Sequence, residues 1–204
     1  MLINPVYIHG YGFSSKVFYK FKGIKIDLPY HGRSKINYIN FFTLAEDIVR
    51  YMPSKHDLVG WSMGGSVALT ITYRFPKKVN RVFIIGTTPF FRKAWDFKNI
   101  KAFIYMLRKE GEEGIRIFRK RAYGEFKDRI DLLPSIKLLE DYINLDLSPF
   151  LPYIKKEVLI IHGIGDRIVP VKEAFKLASL IPRSRLRIIP GGHFPIKHEK
   201  DLIC

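Results

Sequence analysis

"DLVGWSMGGSVALTITYRF", residues 57–75, runs without a break from an apolar stretch, through a serine framed by glycines, into a helical pattern. Gly60 and Gly64 stand two before and two after Ser62. That spacing lets a chain turn sharply from strand to helix and present a side chain at the bend. A serine hydroxyl is a poor nucleophile at neutral pH. It needs an imidazole to take its proton and a carboxylate to orient that imidazole.

On both sides of this stretch a short β-branched or apolar run is followed by a turn and a helical pattern. The runs are "NPVYIHG" (4–10), "GIKIDLP" (23–29), "KHDLVGW" (55–61), "VNRVFIIG" (79–86), "EVLIIHG" (157–163) and "SRLRIIP" (184–190). Continuous apolar runs bounded by Gly, Pro or Asp suit strands buried on both faces of a parallel sheet. Helix-compatible segments lie near 42–52, 63–75, 170–181 and 193–203. The alternation predicts an α/β fold with a mostly parallel sheet of about six strands and helices on both faces.

Residues 88–150 break the alternation. "FKNIKAFIYMLRKE" (97–110) puts Phe97, Ile100, Phe103, Ile104 and Leu107 on one helical stripe. "GIRIFRKRAY" (114–123), with Ile117 and Phe118 turned inward, and "PSIKLLEDYI" (134–143) predict two further helices. The chain thus divides into a core, 1–87 and 151–204, and a helical cap, 88–150, inserted between two strands.

The carboxylate and imidazole are both available. Asp166 follows the run "VLIIHG" in a loop ahead of the helix near Pro170, and His193 follows the last run behind two glycines. His31, His56 and His198 lack such a setting and are assigned to surface or turn positions. The order Ser62, Asp166, His193 distinguishes one serine-triad architecture from the others. Acyl transfer also needs two N–H groups aimed at the developing oxyanion. Met63, just after the serine, supplies one. Tyr11, in the glycine-bearing loop "HGYGFS" (9–14), supplies the other.

Composition bounds the rest. A chain of 204 residues with 47% hydrophobic residues suits one globular domain. Its single cysteine, Cys204, excludes an internal disulfide and is expected as an exposed terminal thiol. "MLINPVYIHG" has no basic region leading into a long apolar run, so no signal peptide is expected, no membrane span is evident and the cytoplasm is the default. A net charge of +16 suits an acidic partner, although general Lys and Ile richness also accounts for such an excess. No recognition helix, zinc finger or RNA-stacking signature accompanies it, so no nucleic-acid partner is expected. Nothing implies a metal or an organic cofactor: no histidine pair has helix-face ligand spacing, and "GWSMGG" lacks the phosphate-loop ending.

"HGYGFS", "DLPYHGRS", "GWSMGG", "HGIGDRIVP" and "GGHFP" together resemble the α/β-hydrolase superfamily across nearly the whole chain. In "DLPYHGRS", Tyr30 replaces the glycine usual in that family, and the segment is read as structural. The chain starts at what would be the family's third strand, which is why six strands rather than eight are expected. The tryptophan in "GWSMGG", the segment "GTTPFFRKAWDFKNIKAF" and the segment "LEDYINLDLSPFLPYIKKEVLIIHG" resemble most the methyl ester esterases of biotin synthesis. Those enzymes cleave a methyl ester at the far end of an acyl chain held on an acidic acyl carrier protein.

That resemblance implies a monomeric serine esterase, with Phe118, Arg119, Arg121 and Ala122 along the substrate channel and Arg116, Lys120 and Arg129 docking the carrier. Residues 88–150 carry 13 Lys and Arg against 10 Asp and Glu, so the cap holds only +3 of the excess. Its charge is locally clustered in "RIFRKR" (116–121), which also fits a solvated helix face. Rival readings are a carboxylesterase or lactonase acting on free small esters, and a non-catalytic binding protein on the same scaffold.

Overall fold

The computed structural model describes residues 2–197. Six strands among these residues form one sheet: β1 (Val6–Ile8), β2 (Ile24–Ile26), β3 (His56–Trp61), β4 (Val79–Ile85), β5 (Glu157–Gly163) and β6 (Ser184–Ile189). Their order is β2-β1-β3-β4-β5-β6 and every pairing is parallel. Each expected run is a strand. β3 is buried along its whole length, as its unalternating apolar pattern requires.

The order reverses after β2. Right-handed crossovers therefore place the β1–β2 connection on one face and the later connections on the other. The later connections include α1 (Phe41–Val49), α2 (Met63–Arg74) and, between β5 and β6, α7 (Lys172–Leu180). On the opposite face the 3-10 turns Ser15–Phe18 and Pro195–Lys197 meet, with the rings of Phe18 and Phe194 5.7 Å apart. Of the stretch 193–203, expected as a helix, the described residues show only that second turn. Residues 198–204, with His198 and Cys204, lie outside the described residues.

Between β4 and β5 run α3 (Phe91–Ala94), α4 (Phe97–Glu110), α5 (Glu112–Ala122) and α6 (Leu132–Asn144). Asp96 caps α4 by accepting from the Lys98 N–H at 2.8 Å. Two details differ from the sequence reading. Phe97, at the first turn of α4, is half exposed and lies under Lys101, whose ammonium is 4.6 Å from its ring centre. Ile117 is also exposed, because the buried stripe of α5 is Ile115, Phe118 and Ala122, and a residue one step from Phe118 points about 100° away. No helix among the described residues is long and apolar enough to cross a membrane.

Two glycines permit the crossing of β3 and α2. A Cβ on Gly64 would run into the carbonyl oxygen of Ile8 in β1, and one on Gly60 would strike the backbone of Gly64. Alanine at Gly64 should therefore destabilise the fold by about 1–3 kcal/mol, the usual range for overpacking a tight site. Thermal melts of Gly64→Ala check this; an unchanged Tm would mean that Ile8 moves aside freely.

Candidate active site

Ser62 follows β3 directly, Asp166 lies three residues beyond β5 and His193 four beyond β6. Parallel strands bring all three to one edge of the sheet. The break in strand order beside β1 and β3 opens a crevice at that edge. Ser62 has φ 55° and ψ −121°, a left-handed conformation that a side chain makes costly. Its N–H donates to the Ile85 carbonyl at 2.8 Å, and its own carbonyl receives bonds from the N–H groups of Gly65 and Ser66.

Asp166 is held on both oxygens. Oδ1 accepts from the N–H groups of Ile168 (2.8 Å) and Val169 (2.9 Å), and Oδ2 lies 2.8 Å from His193 Nδ1. Burial alone would raise the pKa of this carboxyl. The electrostatic pull of His193, with hydrogen bonds from the imidazoles of His162 and His193 and from the Val169 N–H, outweighs burial and holds it well below the usual carboxylate range. Asp166 is thus an anion, and the proton on His193 belongs at Nδ1. Nε2 is left as a buried acceptor without a hydrogen-bond partner among the described residues.

Trp61 ties the serine turn to the histidine loop. Its indole N–H donates to the His193 carbonyl at 2.8 Å. Behind the imidazole, a Cβ on Gly86 would press on His193 Nδ1 and its carbonyl. His162 also touches the carboxylate, with Nε2 3.3 Å from Asp166 Oδ2 and 2.8 Å from the Val169 carbonyl. The sequence reading had no role for His162.

The loop after β1 passes against Ser62, since a Cβ on Gly10 would lie 3.1 Å from the serine Cβ. The backbone N–H groups of Tyr11 and Met63 have no hydrogen-bond partner among the described residues. Two buried histidines brace this loop. His9 Nε2 accepts from the Leu28 N–H and His31 Nε2 from the Gly12 N–H, both at 2.9 Å. Their Nδ1 atoms face the carbonyls of Gly10 and Pro29. His31 and His56 are therefore not surface residues: each is buried, and His56 Nδ1 lies 2.6 Å from the Asn4 carbonyl. Tyr30 adopts φ 68°, keeping the left-handed turn that glycine would make more easily.

The expected cap residues fall in different places. Phe118 and Arg121 line a cavity of about 600 Å³ with Trp95, Phe103, Arg167 and Ile168. Arg121, Ala122, Lys120 and His193 border a second depression of about 330 Å³. Arg119 lines neither. Its guanidinium is buried and donates to the carbonyls of Gly12 (2.5 Å) and Asp128 (3.0 Å). Arg116 forms a bidentate pair with Glu113 on the exposed face of α5, and Arg129 is exposed.

A family model described as the alpha/beta hydrolase family matches residues 6–203. The chain belongs to the α/β-hydrolase family. Within it the chain is similar to pimeloyl-[acyl-carrier protein] methyl ester esterases. The one from Wigglesworthia glossinidia brevipalpis is 30% identical over 99% of this chain and 91% of its own length. The one from Nitrosomonas europaea is 26% identical over 93% and 88%. Among solved structures, the esterase EaEST from Exiguobacterium antarcticum superposes with a TM-score of 0.79. It covers 95% of this chain and 87% of its own at 21% identity, which speaks to the fold alone.

The bracing histidines yield a pH dependence. Burial, the largest cause, lowers His9 to about 4 and His31 to about 3, against an ordinary value of 6.5. The unfolded chain takes up these protons near pH 6.5 while the native state refuses them. Stability should fall as pH drops from about 6.5 toward 4 and be level with respect to these groups above it. The slope is on the order of 1 kcal/mol per pH unit for each histidine. Urea melts of His31→Gln beside the native chain isolate one share, and identical slopes would refute a neutral buried His31.

Proposed function

We propose that this carboxylic ester hydrolase cleaves the methyl ester of an acyl chain carried on an acidic carrier protein, with Ser62, His193 and Asp166 as its triad. The observation that carries the reading is the 2.8 Å pairing of His193 Nδ1 with an ionised Asp166, which leaves Nε2 as a free buried acceptor. Ser62 attacks the ester carbonyl as Nε2 takes its proton. Asp166 stabilises the imidazolium, and the N–H groups of Tyr11 and Met63 hold the oxyanion. His193 then protonates the departing methoxide. Water, activated by the same imidazole, releases the acid and restores Ser62.

The names of the similar relatives support the carrier-bound substrate. Charge supports it too. Lys120 and Arg121 border the depression that His193 opens on, together with Lys197, and no acidic side chain among the described residues lines it. Arg116 is already paired with Glu113. Carrier docking therefore rests on Lys120 and Arg121, with Arg129 outside the lining of that depression. Phe118 lies along the acyl path, and Arg119 acts on the loop of Tyr11 rather than on the acyl chain.

Hydrolysis of methyl-pimeloyl carrier protein, followed by mass spectrometry, tests the proposal. Ser62→Ala should cut the rate about 10⁴-fold or more. Lys120→Glu with Arg121→Glu should raise KM for the carrier-bound ester, and salt should do the same by screening docked charges. Cleavage of free methyl esters only, through Ser62, would replace the carrier reading with a general carboxylesterase or lactonase.

A further inference from the structure

We propose that Tyr142, on cap helix α6, is a catalytic residue whose hydroxyl donates a hydrogen bond to a substrate oxygen on the carbon attacked by Ser62. The inference rests on Ser62 being the nucleophile. Tyr142 is only 4% exposed, and its ring is wedged between Phe91 (5.2 Å between centres) and Phe41 (6.2 Å, nearly parallel). Its hydroxyl is buried without a hydrogen-bond partner among the described residues. Two other buried tyrosines that meet α6 are satisfied. Tyr38 donates to Asp141 at 2.8 Å, and Tyr11 pairs with Ser135 at 3.1 Å.

A buried phenol without a partner is a liability to the free fold, tolerated where a ligand supplies the acceptor. The Ser66 and Ser62 hydroxyls are near enough to influence the ionisation of Tyr142 but make no hydrogen bond of normal geometry with it, and the charges of Asp166 and Glu173 bear on it as well. It therefore lies beside the serine turn. Burial raises its pKa, so it remains an O–H donor throughout the working range. The carbon bonded to Ser62 Oγ carries two substrate oxygens in the tetrahedral intermediate, and the two backbone N–H groups serve only one side of it. Tyr142 donates a hydrogen bond there and keeps its proton. The proton for the methoxide still comes from His193.

Tyr142→Phe removes only the oxygen and tests the inference. With a methyl ester substrate, kcat should fall about 10- to 100-fold, less than the full loss of a backbone oxyanion donor, with KM little changed. Tm should hold or rise, because an unsatisfied polar group has been removed. Affinity for a boronic acid that forms a tetrahedral adduct on Ser62 should fall by the same factor as kcat/KM. An unchanged kcat/KM overturns the inference. So does a loss of activity without a matching loss of boronate affinity, or with a lowered Tm, which would mark a structural role. Ser62→Ala run in parallel separates the two readings. Activity surviving in that variant defeats the nucleophile assignment, whereas an inactive Ser62→Ala beside a fully active Tyr142→Phe defeats only the role of Tyr142.

Discussion

The left-handed backbone of Ser62 is the constraint on which the rest of the molecule depends. A non-glycine residue in that conformation costs about 1–3 kcal/mol and persists only where its surroundings over-determine it. Here the surroundings are β1, β3 and β4. The Ile8 carbonyl leaves no room for a side chain at Gly64, the Ile85 carbonyl takes the serine N–H, and Thr87 donates to the serine carbonyl. Sheet order, strand burial and glycine placement all serve one buried turn.

From that turn the support passes through side chains. Trp61 reaches to the His193 carbonyl, and Asp166 aligns the imidazole from the next strand. The loop of Tyr11 depends on a different set. His9 and His31 accept backbone N–H groups from one side, Arg119 grips the Gly12 carbonyl from α5, and the Tyr11 hydroxyl meets Ser135 of α6. Neutral imidazoles suit this work. Each offers one donor and one acceptor, and burial keeps them uncharged.

The strands and the serine turn were legible because their signals are local. An apolar run bounded by glycine, and glycines at fixed offsets from Ser62, specify geometry within a few residues. Asp166 and His193 were legible because each sits just beyond such a run. His31, His56 and His162 were not, since what decides a histidine's burial is a distant backbone group such as the Gly12 N–H or the Asn4 carbonyl. Ile117 and Phe118 are adjacent, and only the partner surface decides which faces in. Arg119 has the composition of a solvated face yet is buried, because the Gly12 carbonyl meets its guanidinium. Tyr142 is hidden within an ordinary apolar stripe, where nothing in "LLEDYIN" separates a core tyrosine from a functional one.

The ties from Arg119 to Gly12 and from Ser135 to Tyr11 have a further consequence. They run from α5 and α6 to the segment that carries one of the two free N–H groups beside Ser62, so these helices and that segment form an interlock. Lifting α5 and α6 from the core would release both restraints on that segment at once. Ser62 would then face solvent with its electrostatic support slackened. On the proposed reading, a nucleophile that is armed only while α5 and α6 are seated is protected from attacking whatever ester drifts past when they are not.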